Sequence, residues 1–177
     1  MGIPLKTLEE IDHVDVAIDG ADEVTEDLQV TKGKGGALFR EKSVELLAKE
    51  LLIIVDETKV VKKIGSKEWI PVEVAPFGWV HTSKRLSELG CIPHLRKNKG
   101  SEETYAVLCA FYPHSRMVTD NGNYILDCEF VDGIENPVEV GESIKRVVGV
   151  LEHGLFCNMA SSAIIATSEG IKKFVRH

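Results

Sequence analysis

Three carboxylates, Asp19, Asp22 and Glu23, stand around Gly20 and Ala21 in the stretch DGADE, directly after an alternating run in which Val14, Val16 and Ile18 are spaced by Asp15 and Ala17. Further on, Lys32-Gly33-Lys34-Gly35-Gly36 sets two ammonium groups in a glycine loop, Glu41 follows in REK, and VDETK adds Asp56 and Lys59. Carboxylates that take and return a proton, beside cations and backbone amides that can hold a phosphate or an oxyanion, are the parts of acid–base chemistry on a small anionic substrate. Each part alone has a plainer reading. Asp and Gly turn chains and cap helices, a KGKGG loop on its own is a mobile surface loop, and Asp56 with Lys59 is a surface ion pair worth ~0 to 1 kcal/mol. The loop fits neither G-x-x-x-x-G-K-[ST] nor G-x-G-x-x-G, so no nucleotide or dinucleotide site is assigned.

Glu41 carries more information. Ala37, Glu41, Val44 and Ala48 follow helical i, i+4, i+7 and i+11 spacing, which places this acid on the buried stripe of a helix. Burial there favours its neutral form, while the helix N-terminus and Lys32 or Lys34 favour the anion, an opposition suited to a proton carrier. An ordinary helical salt bridge is the alternative. Arg40 and Lys42 are expected to point away, and the facing positions Ala37, Leu38, Val44 and Glu45 offer no cation, so such a bridge needs a partner from elsewhere in the fold.

The elements that must position these groups can be read around them. Residues 14–19 read as a strand, the stretch from about Ala37 to Glu50 as a helix rich in good helix formers, and LLIIVDE as a strand ending at Asp56 and buried on both faces. Strand, glycine loop, helix and strand make a crossover unit of a parallel sheet, and ligands of such sheets bind outside the strands' carboxyl ends, where Asp19 and Asp56 both fall. After Gly65 the pattern changes to IPVEV (70–74), a helix near 80–89 stopped by Gly90, IPHLRK (92–97), NYILDCEF (123–130), a helix near 137–148 and VLEHGLF (150–156). That βαββαβ order is that of a ferredoxin-like module. KNKGSEET reads as a surface loop, YAVLCAFY as a short extra strand, and AIIAT (163–167) as a return to the first sheet. The expected fold is therefore α/β: an open, mostly parallel sheet with crossover helices over residues 1–69 and 151–177, and a smaller ferredoxin-like α+β domain over 70–150.

Composition narrows the partners. A chain of 177 residues, 44% hydrophobic and 28% charged, can bury a core, and a net charge of -7 disfavours nucleic acid or an anionic membrane as the main partner. The longest apolar run, Tyr105 to Tyr112, is too short to cross a bilayer. The four cysteines form no C-x-x-C pair and read as reduced core thiols; the six histidines show no H-x-x-x-H or H-E-x-x-H spacing. Neither a metal nor another cofactor is expected, although carboxylate-only magnesium binding is not excluded by spacing.

The segments DGADE (19–23), KGKGGALFREK (32–42), VDETK (55–59), PVEV (71–74), VTDNGNYILD (118–127) and GVLEHGLF (149–156) resemble those of type A ribose-5-phosphate isomerases, in the same order and over nearly the whole chain. The resemblance implies metal-free interconversion of ribose 5-phosphate and ribulose 5-phosphate, by ring opening and then proton transfer between C2 and C1 through an enediolate. It makes Glu41 the base and Lys32 the cation beside the enediolate oxygens. Asp19 and Asp22 then handle hydroxyl protons, and Gly20, Ala21, Gly33, Lys34, Gly35 and Lys59 complete the sugar-phosphate surface, with Asp56 as a supporting acid. Lys34 departs from the family's KGGGG-like loop, and the family's N-terminal α/β segment with its G-T-G-S-T-like phosphate loop is expected to be missing, since the chain starts at MGIPL. The alternatives are a non-catalytic sugar-phosphate binding module or an inactive fragment of the isomerase, and a purely structural protein. A homo-oligomer is expected from the family and from uncovered sheet edges. The expected location is the cytoplasm, with a plastid as the alternative, since a transit peptide would precede Met1.

Overall fold

The alternating run forms β1 (Val14–Asp19), followed by a small hairpin of β2 (Glu23–Val24) and β3 (Val30–Thr31) in this computed structural model, which describes residues 2–98 and 116–176. Two-residue strands are too short to show a period, so this hairpin is not visible in the hydrophobic pattern. Its turn holds Leu28 at a φ of 63° with the side chain fully buried, and Val24 and Val30 close the same core.

Helix α1 (Leu38–Glu45) is shorter than the expected 37–50. The chain turns at Leu46 and Leu47, and Ala48 to Glu50 already pair with Val14 to Val16 as the start of β4 (Ala48–Asp56). Here parallel pairing overrides good helix formers, whose propensities differ by only tenths of a kcal/mol. The buried face of α1 is Leu38, Lys42 and Glu45, while Val44 is 38% exposed and Glu41 partly covered at its edge. The expected stripe was thus one position out of phase, and Lys42, expected to point away, lies inside.

The second module comprises β5 (Ile70–Val74), α2 (Trp79–Ser87), β6 (Ile92–Leu95), β7 (Tyr124–Glu129), α3 (Pro137–Lys145) and β8 (Val150–His153). Its sheet has the order β6-β7-β5-β8 with every pair antiparallel. Ile70, Val72, Leu126 and Cys128 fill its core under Leu86 of α2 and Ile144 of α3. The chain then returns through β9 (Ser162–Thr167), parallel to β4, and β10 (Gly170–Val175), antiparallel to β9, so the first sheet runs β1-β4-β9-β10. The α/β class is as expected, with a parallel sheet and a second, smaller one.

One expectation about the first sheet is corrected. Leu51, Ile53 and Val55 are buried against the hairpin and Phe156, but Val16, Ile18 and Ile54 on the other face are about half exposed, so the strands are not buried on both sides. Cys91, Cys128 and Cys157 are free thiols. Residues 99–100 and 101–104 of the predicted surface loop, the extra strand at 105–112 and Cys109 lie outside the described residues. No helix among those described is long and apolar enough to cross a membrane.

Candidate active site

Backbone bonds bring the charged segments together. Where β1 ends, Asp19 accepts the Gly20 N–H at 2.7 Å, and the Asp22 N–H donates to the Thr31 carbonyl at 2.7 Å, laying DGADE beside the residues that lead into the glycine loop. Lys32 donates its N–H to Gly154 O at 2.9 Å, and Gly154 donates to Pro71 O, so the loop is tied to the second sheet. Only glycine fits at 154, since a Cβ there would stand 2.3 Å from Lys32 O. Gly33, at a φ of 103°, then turns the chain, and the Lys34 N–H reaches the Asp22 carboxylate at 2.9 Å.

This routing sends the Lys32 side chain inward, where it is 4% exposed. Its Nζ stands 2.8 Å from Asp19 Oδ2 and 2.9 Å from Gly20 O, and 3.5 Å from both Glu41 Oε2 and Glu45 Oε1. Three carboxylates from two elements therefore face one ammonium. An open cavity of about 230 Å³ lies over it, lined by Asp19, Gly20, Ala21, Asp22 and Lys32 together with Gly33, Lys34, Gly35 and Glu41. Nine of the residues singled out in the sequence meet there. Asp56 and Lys59 do not line it: Asp56, at the end of β4, caps the short 3-10 turn at Glu57–Lys59 by accepting from the Thr58 N–H at 2.8 Å. The Lys34 ammonium turns out of the cavity to Glu68, at 2.6 Å. Glu23 is also no part of the site, being fully buried and accepting the backbone N–H groups of Gly65, Lys67 and Glu68.

The groups around Lys32 are pushed apart in proton affinity. Burial lifts Glu45 to about 7, only partly offset by Lys32 and reinforced by Asp19. Burial acts the same way on Asp19, but the hydrogen bonds from Lys32 and the Gly20 N–H outweigh it and hold that carboxyl below its usual range. Lys32 itself is raised, because Asp19, Glu41 and Glu45 together overcome the cost of burying its charge. Neighbouring acids whose environments separate their proton affinities are the arrangement that acid–base work requires.

Two residues that sequence reasoning missed complete the surroundings. Glu45 is one. The other is Lys42, whose buried Nζ donates to Glu152 Oε1 at 2.8 Å, His153 O at 2.6 Å and Leu155 O at 3.0 Å, fastening α1 to the chain that leaves β8. Both lysines also lie over the Phe156 ring, at 5.6 Å for Lys32 and 4.7 Å for Lys42. The signal for Lys42 and Glu45 was present: with Leu38 they form an i, i+4, i+7 set, hidden because both are charged.

Known proteins resemble this chain along nearly its whole length. Residues 1–170 match the family model described as ribose 5-phosphate isomerase A (phosphoriboisomerase A). The chain is 45% identical over 174 residues to ribose-5-phosphate isomerase A of Bacillus mycoides, covering 98% of this chain and 72% of that one. It is 47% identical over 173 residues to that of a Synechococcus strain, covering 97% and 69%. Among solved structures, ribose 5-phosphate isomerase from Plasmodium falciparum superposes with a TM-score of 0.85 at 35% identity, over 98% of this chain and 71% of that one. A D-ribose-5-phosphate isomerase in complex with phospho-erythronic acid gives 0.86 at 35% identity, over 98% and 70%.

Proposed function

The chain belongs to the ribose 5-phosphate isomerase A family, and from that premise we propose that it interconverts ribose 5-phosphate and ribulose 5-phosphate, with Glu41 as the proton carrier. The observation that carries this reading is the approach of Glu41 Oε2 to within 3.5 Å of Lys32 Nζ at the floor of the cavity that Asp19 and Asp22 also line. A phosphorylated sugar acid bound by a solved relative supports a sugar phosphate as the ligand.

In the forward direction Asp19 or Asp22 takes the proton of the C1 hydroxyl as the bond between C1 and the ring oxygen breaks, and returns it to that oxygen, leaving an aldehyde at C1 and a hydroxyl at C4. The Glu41 carboxylate then removes the proton from C2; the electrons of that bond form the C1–C2 double bond, and the carbonyl pair moves onto O1. The Lys32 ammonium, held rigid by Asp19 and Gly20 O, stabilises that oxygen without having to reorganise. Glu41 returns its proton to C1 while the O2 hydroxyl proton is relayed to O1 through an aspartate, leaving the ketone at C2. The division into a catalytic α/β domain and a ferredoxin-like domain is part of this proposal, as is association of copies of the chain, which light scattering of the purified protein checks.

A coupled assay of the purified chain tests the chemistry. Glu41→Gln is expected to lower turnover by ~10²- to 10⁴-fold, the range general acid–base catalysis supplies, with little change in KM. Turnover unaffected by that change would remove Glu41 from the role, and binding of ribose 5-phosphate without turnover would select a binding module instead.

A further inference from the structure

Lys32 has three N–H donors and more acceptors than it can serve. Asp19 Oδ2 and Gly20 O take two at short range, and the third is contested by Glu41 and Glu45, each at 3.5 Å. Glu41 lines the cavity; Glu45, one helical turn further along α1, stands behind the ammonium and is 5% exposed. Among the described residues neither Glu45 oxygen receives a hydrogen bond, so an ionised Glu45 would be a buried anion whose one prospective donor is the contested Lys32 N–H. Asp19 shares the same ammonium, and a proton placed on Glu45 gives it a hydrogen bond to donate to that neighbour.

We propose that Glu45 is a positioning residue of this site: its carboxyl carries a proton, bonds it to Asp19, and leaves the third N–H of Lys32 to Glu41 and the cavity. The inference rests on the isomerase reading for its chemical meaning. Ionised, Glu45 would draw that N–H inward and set a further negative charge behind the oxygen where the enediolate develops. The affinity for protons raised to about 7 agrees with this placement. The charged groups facing Glu45 are Lys32, Asp19 from β1, and Glu41 on its own helix. Those of the other elements packed on α1 are engaged elsewhere: Glu152 and His153 of β8 gather at Lys42, Lys49 of β4 pairs with Asp15, and Glu73 of β5 accepts from Thr119, Asn121 and Asn123.

The test uses the full chain labelled with ¹³C at glutamate carboxyls, with and without Glu45→Gln, followed from about pH 5 to about pH 9. One glutamate is expected to titrate near about 7 in the parent, and that resonance to be absent from Glu45→Gln. The kcat for ribose 5-phosphate is expected to fall about tenfold as Glu45 ionises in the parent, with KM little changed, and to stay level in Glu45→Gln, whose amide still donates to Asp19. Should Glu45→Gln not fold, Asp19→Asn replaces it: an amide donor facing Glu45 is expected to move the titration to lower pH. No glutamate titrating in this range, or an unaltered kcat profile in Glu45→Gln, overturns the proposal. Absence of turnover in the parent overturns the isomerase reading instead, and the carboxyl titration then decides for Glu45.

Discussion

Lys32 and Lys42 place their ammonium groups on the same aromatic ring, yet their surroundings have opposite logic. Lys42 meets one carboxylate and two carbonyls within 3.0 Å, one acceptor for each of its donors, and burial lowers its proton affinity. Lys32 meets two close acceptors, Asp19 and Gly20 O, and two further acids, its affinity is raised, and among the described residues an oxygen of Glu41 and both oxygens of Glu45 lack a donor. A buried polar network with every group satisfied fixes structure; one with an excess of charge of a single sign holds protons that can be moved. The first borders a separate hollow of about 330 Å³ between α1, α3 and β8, and the second opens on the cavity that Asp19, Asp22 and Glu41 line. On the proposed isomerase reading, the two ammoniums divide one helix between fastening and chemistry.

Exchanging each lysine for methionine sharpens the contrast. Lys42→Met is expected to lower stability by about 3 to 5 kcal/mol, because Glu152 and two carbonyls lose a buried partner. Chemical denaturation measures it. An unchanged midpoint would show that Lys145, which also reaches Glu152 at 2.7 Å, suffices alone. Lys32→Met is expected to reduce turnover by ~10²- to 10³-fold, the cost of one oxyanion donor, about 2.7 to 4 kcal/mol in the transition state. Stability should suffer less than in Lys42→Met, since the acids left behind can take up protons. The reverse pattern, in which the first variant loses turnover and the second stability, would break the comparison.

The two networks also respond to pH with opposite signs. Glu45 binds its proton more tightly folded than unfolded, so its contribution is complete below about 4.5 and is lost as pH rises through about 7. Glu152 runs the other way. Burial would raise it, but the bonds from Lys145 and Lys42 bring it down to about 2, so its contribution is present above 4.5 and lost as pH falls through about 2. His153, kept neutral by burial and by Lys42 and lowered to about 4, adds stability above 6.5 that disappears as pH falls through about 4. Each carboxylate is worth on the order of 3 kcal/mol. Thermal melts across pH should show Glu45→Gln flattening the decline toward neutral pH, and Glu152→Gln reducing only the acid-side loss, with the His153 part remaining.

How much of this was legible in the sequence depends on where tertiary structure intervened. The alternation at Val14 to Ile18, the split βαβ order and the convergence of DGADE with the KGKGG loop followed from local pattern, because strand ends and glycine turns are local events. The phase of α1 did not. Its eight residues are too few for a hydrophobic period to outweigh two buried charges, and Ala48 to Glu50 joined β1 although they suit a helix. Glu41 was therefore placed near Lys32 by a stripe that in fact belongs to Leu38, Lys42 and Glu45; a rotation of one position moves it to the edge of that face and into the cavity. Asp56 and Lys59 share the strand-end rim yet stand outside the cavity, since register along β4 cannot be read before its partner is known. The hairpin at Glu23 to Thr31, which carries Lys32 inward, left no pattern at all.

Lys34 gives the smallest effect and the sharpest boundary for the comparison. It belongs to the same loop as Lys32, but its side chain is 60% exposed and its charge is matched one to one by Glu68. An exposed pair of this kind is worth ~0 to 1 kcal/mol, so Lys34→Ala should leave stability within about 1 kcal/mol of the parent. Its structural part is the backbone N–H that Asp22 accepts, which alanine retains. Turnover and KM for ribose 5-phosphate are accordingly expected to change by less than about threefold, a shift of about 0.7 kcal/mol. A rise in KM beyond about tenfold, with kcat kept, would mean that the ammonium leaves Glu68 and swings over the cavity when the sugar phosphate arrives. Charge in this loop would then serve binding at its rim as well as chemistry at its floor, and Glu68→Gln, by releasing Lys34 beforehand, should lower KM in the same assay.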